Sequence, residues 1–252
     1  MLWLTMEGPV DAVVIGARGG IGEAFTEALA QAESVRSVYA TSRDARWAQG
    51  SSSHPKVERA LLDISDETSL SAFADGLARV ERAPRVVLNC SGLLHDGELR
   101  PERTWRELNA EHMARSFAVN AIGPALAIKH LVKAVPRRQD ALFITLSARV
   151  GSITDNRLGG WYSYRASKAA QNMIVKTASI EAANRYPKLI ICAMHPGTVA
   201  TELSEPFTKR LARGHVVFSP EESCRHLCEV IGGLTPSDSG ALFAWDGARI
   251  PW

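Results

Sequence analysis

Val10-Asp11-Ala12-Val13-Val14-Ile15-Gly16-Ala17-Arg18-Gly19-Gly20-Ile21-Gly22 decides how the rest of the chain is read. The six residues before Gly16 are apolar apart from Asp11 and rich in β-branched side chains, which predicts a buried strand over Val10 to Ile15. A helix is expected from Gly22 to Ala32. Glycine permits the tight turn between them and lets the backbone come close to a phosphate. The helix start then offers unpaired N–H groups and a favourable dipole to the anion. A glycine cluster alone marks any sharp turn. Between a strand and a helix at the head of a βαβ unit it reads as a dinucleotide cradle, with Gly16, Arg18, Gly20, Ile21 and Gly22 as its walls.

Outward from this turn, short β-branched runs alternate with longer helical stretches. Strands are expected at Val38 to Thr41, Val57 to Leu62, Val86 to Asn89, Leu142 to Leu146, Leu189 to Met194 and Leu242 to Trp245. Helices are expected at about Glu67 to Val80, Ala110 to Val135, Tyr164 to Asn184 and Pro220 to Ile231. Near-continuous apolar strands separated by helices predict a parallel sheet covered on both faces. The fold class is therefore α/β, a three-layer, doubly wound parallel sheet of the Rossmann type, which binds ligands at the carboxyl ends of its strands. The loopiest stretches, Gln49 to Lys56, Arg149 to Tyr162 and Ser204 to Val217, do not read as linkers, so residues 1–252 are expected to form one domain.

Composition agrees. The chain has 252 residues, 46% hydrophobic and 22% charged, with a net charge of +2, which excludes a disordered tail protein and argues against a nucleic-acid-coating role. Cys90, Cys192, Cys224 and Cys228 are too few and too scattered for a disulfide framework, and no second Cys/His pair completes a zinc spacing, so no metal is expected. Met1 to Val10 is briefly apolar but lacks the basic region and length of a signal peptide, and no run reaches the roughly 20 apolar residues of a membrane span. A cytoplasmic protein without membrane partners is expected.

Gly16, Gly20 and Gly22 form G-x-x-x-G-x-G, and that spacing resembles the T-G-x-x-x-G-x-G of the short-chain dehydrogenase/reductase family, with Ile15 in place of the Thr. The resemblance continues in order along the chain. Asp63-Ile64 follows the third strand, where the family's Asp contacts adenine. Asn89-Cys90-Ser91-Gly92 is similar to N-N-A-G, Asn120 to the family's helix Asn, and Tyr164-Arg165-Ala166-Ser167-Lys168 to Y-x-x-x-K. Pro196-Gly197-Thr198-Val199-Ala200-Thr201 is similar to P-G-x-V-x-T. The resemblance implies that Asn89, Ser91, Gly92, Pro196, Gly197, Val199 and Thr201 bind the dinucleotide, Val199 through its backbone to the carboxamide and Thr201 near the phosphates.

Cofactor choice is read at the end of the second strand. An acidic residue there suits the ribose hydroxyls of NAD, an arginine the 2′-phosphate of NADP. Arg43, with Arg18 in reach, favours NADP(H) over NAD(H), whereas Asp44 stands one residue away and argues the other way.

Tyr164 and Lys168 are four apart in a helical stretch and so share a face. An unperturbed tyrosine titrates near about 10, and a neighbouring ammonium would stabilise its phenolate and lower that value. What the family resemblance implies is hydride transfer between nicotinamide and a carbonyl or secondary alcohol carbon. Tyr164 would be the proton donor, Lys168 would hold the nicotinamide ribose, and Asn120 would bind a relay water. A serine would polarise the carbonyl. The family's S-S-x-x-G, aligned on Gly151, puts Ser147 at the first Ser and Ala148 at the second. Ser147 on a shifted backbone is the expectation, with Ser152 in reserve. His195 reads as a packed strand-end residue.

Gly151 to Tyr162 and the stretch Phe243 to Trp252 resemble a narrower branch, the C-factor-like proteins and their carbonyl-reductase relatives, some of which are described as cell–cell signalling proteins. Arg149, Trp161 and the loop Ser204 to Val217 are expected to line the substrate pocket, and an aromatic wall suits an apolar or aromatic small-molecule carbonyl. Three functions stay open: an NADP-dependent carbonyl reductase or alcohol dehydrogenase, a dinucleotide-binding signalling protein with little turnover, and a dehydratase or epimerase. Relatives commonly pair through the helices carrying Asn120 and Tyr164, which implies a homodimer or homotetramer.

Overall fold

The elements of a computed structural model follow the expected alternation. It describes residues 6–52, 54–80, 82–208 and 216–252; residues 1–5 of the apolar N-terminal stretch and 209–215 of the expected pocket loop lie outside these. In chain order the elements are β1 (Val10–Ile15), α1 (Gly20–Gln31), β2 (Val35–Ser42), α2 (Ala45–Gln49), β3 (Val57–Leu61), α3 (Glu67–Arg79), β4 (Val86–Asn89), α4 (Ala110–Phe117), α5 (Gly123–Leu131), β5 (Ala141–Leu146), α6 (Tyr162–Arg185), β6 (Leu189–His195), α7 (Glu205–Thr208), α8 (Pro220–Gly232) and β7 (Leu242–Ala244).

All seven strands pair in parallel in the order β3-β2-β1-β4-β5-β6-β7. Alternation along β1 explains the two cores. Val10, Ala12 and Val14 pack with Phe25 and Leu29 of α1 and Leu227 and Ile231 of α8. Val13 and Ile15 pack on the other face with Leu70 and Leu77 of α3, Leu131 of α5 and Val175 of α6. Burying a leucine or isoleucine on either face stabilises the fold by about 1.5–3 kcal/mol. Asp11, the polar exception in β1, is buried at the opposite end of the sheet from the glycine turn. It accepts from Ser37 Oγ at 2.6 Å and from Arg36 Nε at 2.9 Å, and these partners hold its carboxyl below the usual range against the opposing effect of burial.

The strand order reverses between β1 and its neighbours β2 and β4, and the cleft of a doubly wound sheet opens there. Two of the differences from the sequence expectation bear on the cleft. The helix expected from Ala110 to Val135 is broken: α4 ends at Phe117, a π-helical turn spans Ala118–Ile122, α5 follows, and a 3-10 turn closes at Val132–Ala134. Pro124 has no N–H to give the carbonyl of Asn120, so regular α-helix cannot run through this point unaltered. The short α2 was not expected; Asp44 caps it by accepting from the amides of Arg46 and Trp47.

Candidate active site

A cavity of about 920 Å³ opens at the carboxyl ends of the central strands. It runs from the glycine turn past the end of β2 and over β4 to Tyr164 and Lys168 on α6. Gly16 has φ +80°, and a Cβ there would crowd the Ser91 amide at 3.1 Å. A Cβ on Gly22 would run into the Gly16 carbonyl, and one on Gly20 would meet Pro220 at 3.0 Å and Thr201 at 3.1 Å. The turn is bare backbone because no side chain fits. Its amides at Gly16 and Ala17 both donate to the Thr41 carbonyl, so the turn is tied to β2 although Ile15 has no hydroxyl to offer.

At the end of β2, Arg18 and exposed Arg43 border the cavity. Asp44 also borders it, but its carboxylate is engaged. It caps α2 and ion-pairs with Arg18 Nη1 at 2.8 Å; the Trp47 amide above all, then that of Arg46 and the arginines, hold its pKa down. Asp63, Ile64, Ser91, Gly92, Pro196 and Thr201 also line the cavity. Asn89, Gly197 and Val199 sit behind the lining. Asn89 Oδ1 accepts from the Ser91 amide at 3.1 Å and the Ser91 hydroxyl at 2.6 Å, and its Nδ2 donates to Thr145. Gly197, with φ +82°, turns the chain against the Phe218 ring, and the Val199 carbonyl accepts from Ser204 Oγ. The bare cradle, the arginines and the cavity's length fit a dinucleotide.

At the far end, Tyr164 and Lys168 lie on successive turns of α6, with Nζ 5.8 Å from the centre of the phenol ring. Lys168 is almost completely buried. Nζ donates to the Leu146 carbonyl at 2.9 Å and to Gln171 Oε1 at 3.0 Å, both neutral. Burial therefore pushes its pKa down to about 7. Burial also pushes the Tyr164 phenol well above its usual value. The sequence reading had the lysine lowering the tyrosine. In the structure both groups are driven toward their neutral forms, because desolvation outweighs the attraction between them.

Asn120 is committed through its side chain. Its side chain is locked to Leu93: Oδ1 accepts from the Leu93 amide at 2.8 Å, and Nδ2 donates to the Leu93 carbonyl at 2.8 Å and to Ser167 Oγ at 3.1 Å. It ties the chain after β4 to the π-turn and to α6. It stands close to Lys168, since a Cβ on Gly92 would lie 3.9 Å from Asn120 Oδ1 and 4.0 Å from Lys168 Nζ.

Ser147 lines the cavity, but its hydroxyl donates to Asn172 Oδ1 on α6 at 2.6 Å. The side chain that packs against Tyr164 is Ala148, together with Leu94, Val150, Trp161, Leu203 and Phe207. Ser152 is buried, and its hydroxyl accepts from the Asp155 amide at 3.1 Å. The Ser147 proton is thus committed to Asn172, and Ser152 is not among the residues lining the cavity. Arg149 is exposed and paired with Asp155. Burial, with Arg149 adding to it, pushes His195 down to about 4, so that imidazole is neutral at pH 7. Gln171 and Asn172, which hold Lys168 and Ser147, were not singled out from sequence; their spacing of three and four from Lys168 was the available signal.

A family model described as short chain dehydrogenase matches residues 11–212. The chain belongs to the short chain dehydrogenase family. An uncharacterized oxidoreductase of Schizosaccharomyces pombe is 27% identical over 95% of this chain and 96% of its own length. C-signal of Myxococcus xanthus is 34% identical over 56% of this chain and 78% of its own. The NADPH-bound carbonyl reductase from chicken fatty liver superposes with a TM-score of 0.82 at 25% identity, covering 98% of this chain and 96% of that one. The protein is thus an oxidoreductase of the short chain dehydrogenase type, with the Rossmann architecture its strand pattern predicted. No helix among the described residues is long and apolar enough to cross a membrane, and no metal-binding group of side chains occurs among them.

Proposed function

We propose that the protein is an NADP(H)-dependent carbonyl reductase in which Tyr164 is the proton donor. The observation that carries this reading is a buried phenol beside Lys168, at the apolar end of a cavity whose other end is a bare glycine cradle. The dinucleotide, when bound, supplies the hydride to the carbonyl carbon. Gly16, Gly20 and the start of α1 hold its phosphates through backbone amides, which need no counter-charge and no side-chain room. Arg43 and Arg18 receive the 2′-phosphate; the Asp44 charge beside them is offset by its ion pair with Arg18 and by its bonds to the Arg46 and Trp47 amides. Chicken carbonyl reductase, similar over nearly the whole chain, is described with NADPH bound.

As negative charge develops on the carbonyl oxygen, Tyr164 donates its proton to it. A raised pKa keeps that proton on the phenol throughout the neutral range, the form that reduction needs. Lys168 holds the nicotinamide ribose and returns a proton to Tyr164. The Asn120 carbonyl, lacking its helical donor because of Pro124, is the place for the relay water; the amide side chain is already committed to Leu93. Leu94, Val150, Trp161, Leu203 and Phe207 pack around Tyr164, with Leu203 lining the cavity, and apolar surroundings of this kind suit an apolar or aromatic carbonyl substrate. Ser147 reaches a substrate only by giving up Asn172, so Tyr164 is the principal donor.

The test is NADPH oxidation, with NADH alongside, across aldehydes and ketones, for the native protein and Tyr164→Phe. Turnover lost in the variant with NADPH binding intact supports the reading; retained turnover refutes the proton-donor role. A dinucleotide-binding signalling protein is the second reading, favoured by the similarity to C-signal over half the chain. NADPH binding without turnover of any carbonyl would move the weight there. The assembly fitting this fold is a homodimer or homotetramer. Met173 and Ile180, seven apart on α6, and Ile122 beside Asn120 are 67%, 62% and 52% exposed, an apolar face that a second copy would cover. A light-scattering mass equal to one chain refutes that assembly.

A further inference from the structure

Three consecutive residues just before α6 are left-handed: Gly159 at φ +64°, Gly160 at +65° and Trp161 at +53°. Trp161 is the single non-glycine residue with positive φ among the described residues. A bulky side chain rarely adopts that conformation, so the surroundings must impose it. The Trp161 ring stands edge-on to Tyr164, with centres 6.2 Å apart and planes at 73°, and edge-on to Phe207 at 5.1 Å. The strained residue therefore packs against the proton donor.

Its clamp comes from sixty residues earlier. Glu102, in the segment between β4 and α4, is 4% exposed. Its backbone carbonyl accepts from the Trp161 amide. Its carboxylate accepts from the Ser163 amide at 3.1 Å and from the Ser163 hydroxyl. A Cβ on Gly160 would stand 3.3 Å from the Glu102 carbonyl, and its φ of +65° strains any other residue there. From the other side, Arg165 Nε donates to the Gly160 carbonyl at 3.0 Å. One buried acidic residue thus satisfies the open amides at the start of the helix that carries Tyr164 and fixes the turn that aims Trp161.

We propose that Glu102 is a positioning residue that sets substrate selection: by gripping Trp161 and Ser163 it holds the indole over Tyr164 as the wall against which flat aromatic carbonyls pack. It touches neither substrate nor dinucleotide. The inference rests on the reductase reading, and the test separates the two. Glu102→Ala removes the carboxylate's two bonds to Ser163, leaving the turn held only by the backbone bond to the Trp161 amide. Glu102→Gln keeps the volume, an oxygen for the Ser163 amide and an NH2 for the Ser163 hydroxyl. Each is compared with native protein on an aromatic aldehyde such as benzaldehyde and a small aliphatic one such as propanal, with NADPH affinity measured separately.

For Glu102→Ala, KM for the aromatic substrate should rise about tenfold, against under about threefold for the aliphatic one, with NADPH affinity unchanged. Glu102→Gln should stay within about threefold of native for both. Equal losses on both substrates would mean a merely structural role and overturn the proposal, as would an unchanged ratio. If Glu102→Ala does not fold, Ser163→Ala, which removes only the hydroxyl donor, must shift the ratio the same way by a smaller amount. If the native protein reduces no carbonyl, the reductase reading fails on its own. Near-UV circular dichroism then decides: the Trp161 signal, defined as native minus Trp161→Phe, must collapse in Glu102→Ala and persist in Glu102→Gln. Persistence in Glu102→Ala refutes the clamp.

Discussion

Lys168 should make the dinucleotide-free protein less stable, and replacing it by methionine should stabilise that form at neutral and acidic pH. The amine is buried with only neutral partners, and burial lowers its pKa from 10.5 to about 7. A shift of that size corresponds to about 5 kcal/mol of unfavourable interaction with the charged form. Below pH of about 7 the amine is protonated in both folded and unfolded states and the full penalty applies. Between about 7 and 10.5 only the unfolded chain keeps the proton, so stability rises with pH through that window, and above it the penalty is gone. Methionine removes the penalty but forfeits the bonds to the Leu146 carbonyl and Gln171 Oε1, worth about 1 kcal/mol each. The balance is a gain of about 3 kcal/mol at pH 6, or about 5–10 °C in Tm for a chain of this size. At pH 10.5 and above the balance reverses, leaving the variant about 2 kcal/mol less stable. Scanning calorimetry of both proteins, stripped of dinucleotide, from pH 6 to 10.5 reads the difference directly. A pH-independent difference, or a less stable variant at pH 6, would refute the argument that Lys168 is held against its charge.

Arg43→Ala should cut the NADPH-over-NADH preference in kcat/KM by about tenfold or more, through loss of a guanidinium–phosphate contact; an unchanged preference would remove Arg43 from cofactor selection. Ala148→Ser places a hydroxyl beside Tyr164 and should raise kcat for carbonyl reduction by about tenfold, within the range a hydrogen-bond donor to a developing oxyanion contributes; no gain would mean that position 148 does not face the reacting oxygen. Ser147→Ala should change kcat by less than about threefold while lowering stability by about 1 kcal/mol through the lost Asn172 bond, and a hundredfold loss of kcat would restore Ser147 as the polarising donor.

The sheet was legible because each strand carries its own signal. β1, β4, β5 and β6 are short apolar runs, and a strand buried on both faces needs no more than that. The cradle was legible because only glycine satisfies a positive φ at Gly16 and the close approach at Gly22. Missed features depend on contacts between distant parts of the chain. The break at Ala118–Ile122 left one local trace, Pro124, inside an otherwise continuous helical pattern. The grip of Glu102 on Ser163 links residues 61 apart, and nothing near Glu102 in sequence distinguishes it from the exposed glutamates around it. The rise of the Tyr164 pKa was missed for a related reason: spacing shows that two side chains share a helix face, but not how far that face is from water.

That depth bears on the direction of the reaction. A site built to oxidise alcohols needs the phenolate, and the simplest way to hold it is an ammonium free to act as its counter-charge. Here the ammonium is itself desolvated, and its bonds go to Leu146 and Gln171 rather than to the phenol. Both groups rest near neutrality, which is the right starting state for an acid that must give up a proton as charge develops on a carbonyl oxygen. The apolar surroundings that raise the Tyr164 pKa also strengthen its hydrogen bond to that oxygen, since no water competes for it. In the proposed reduction, with Ala148 packed against Tyr164 and Ser147 committed to Asn172, the Tyr164 donor and the apolar side chains of Trp161 and Phe207 packed around it would carry the stabilisation together.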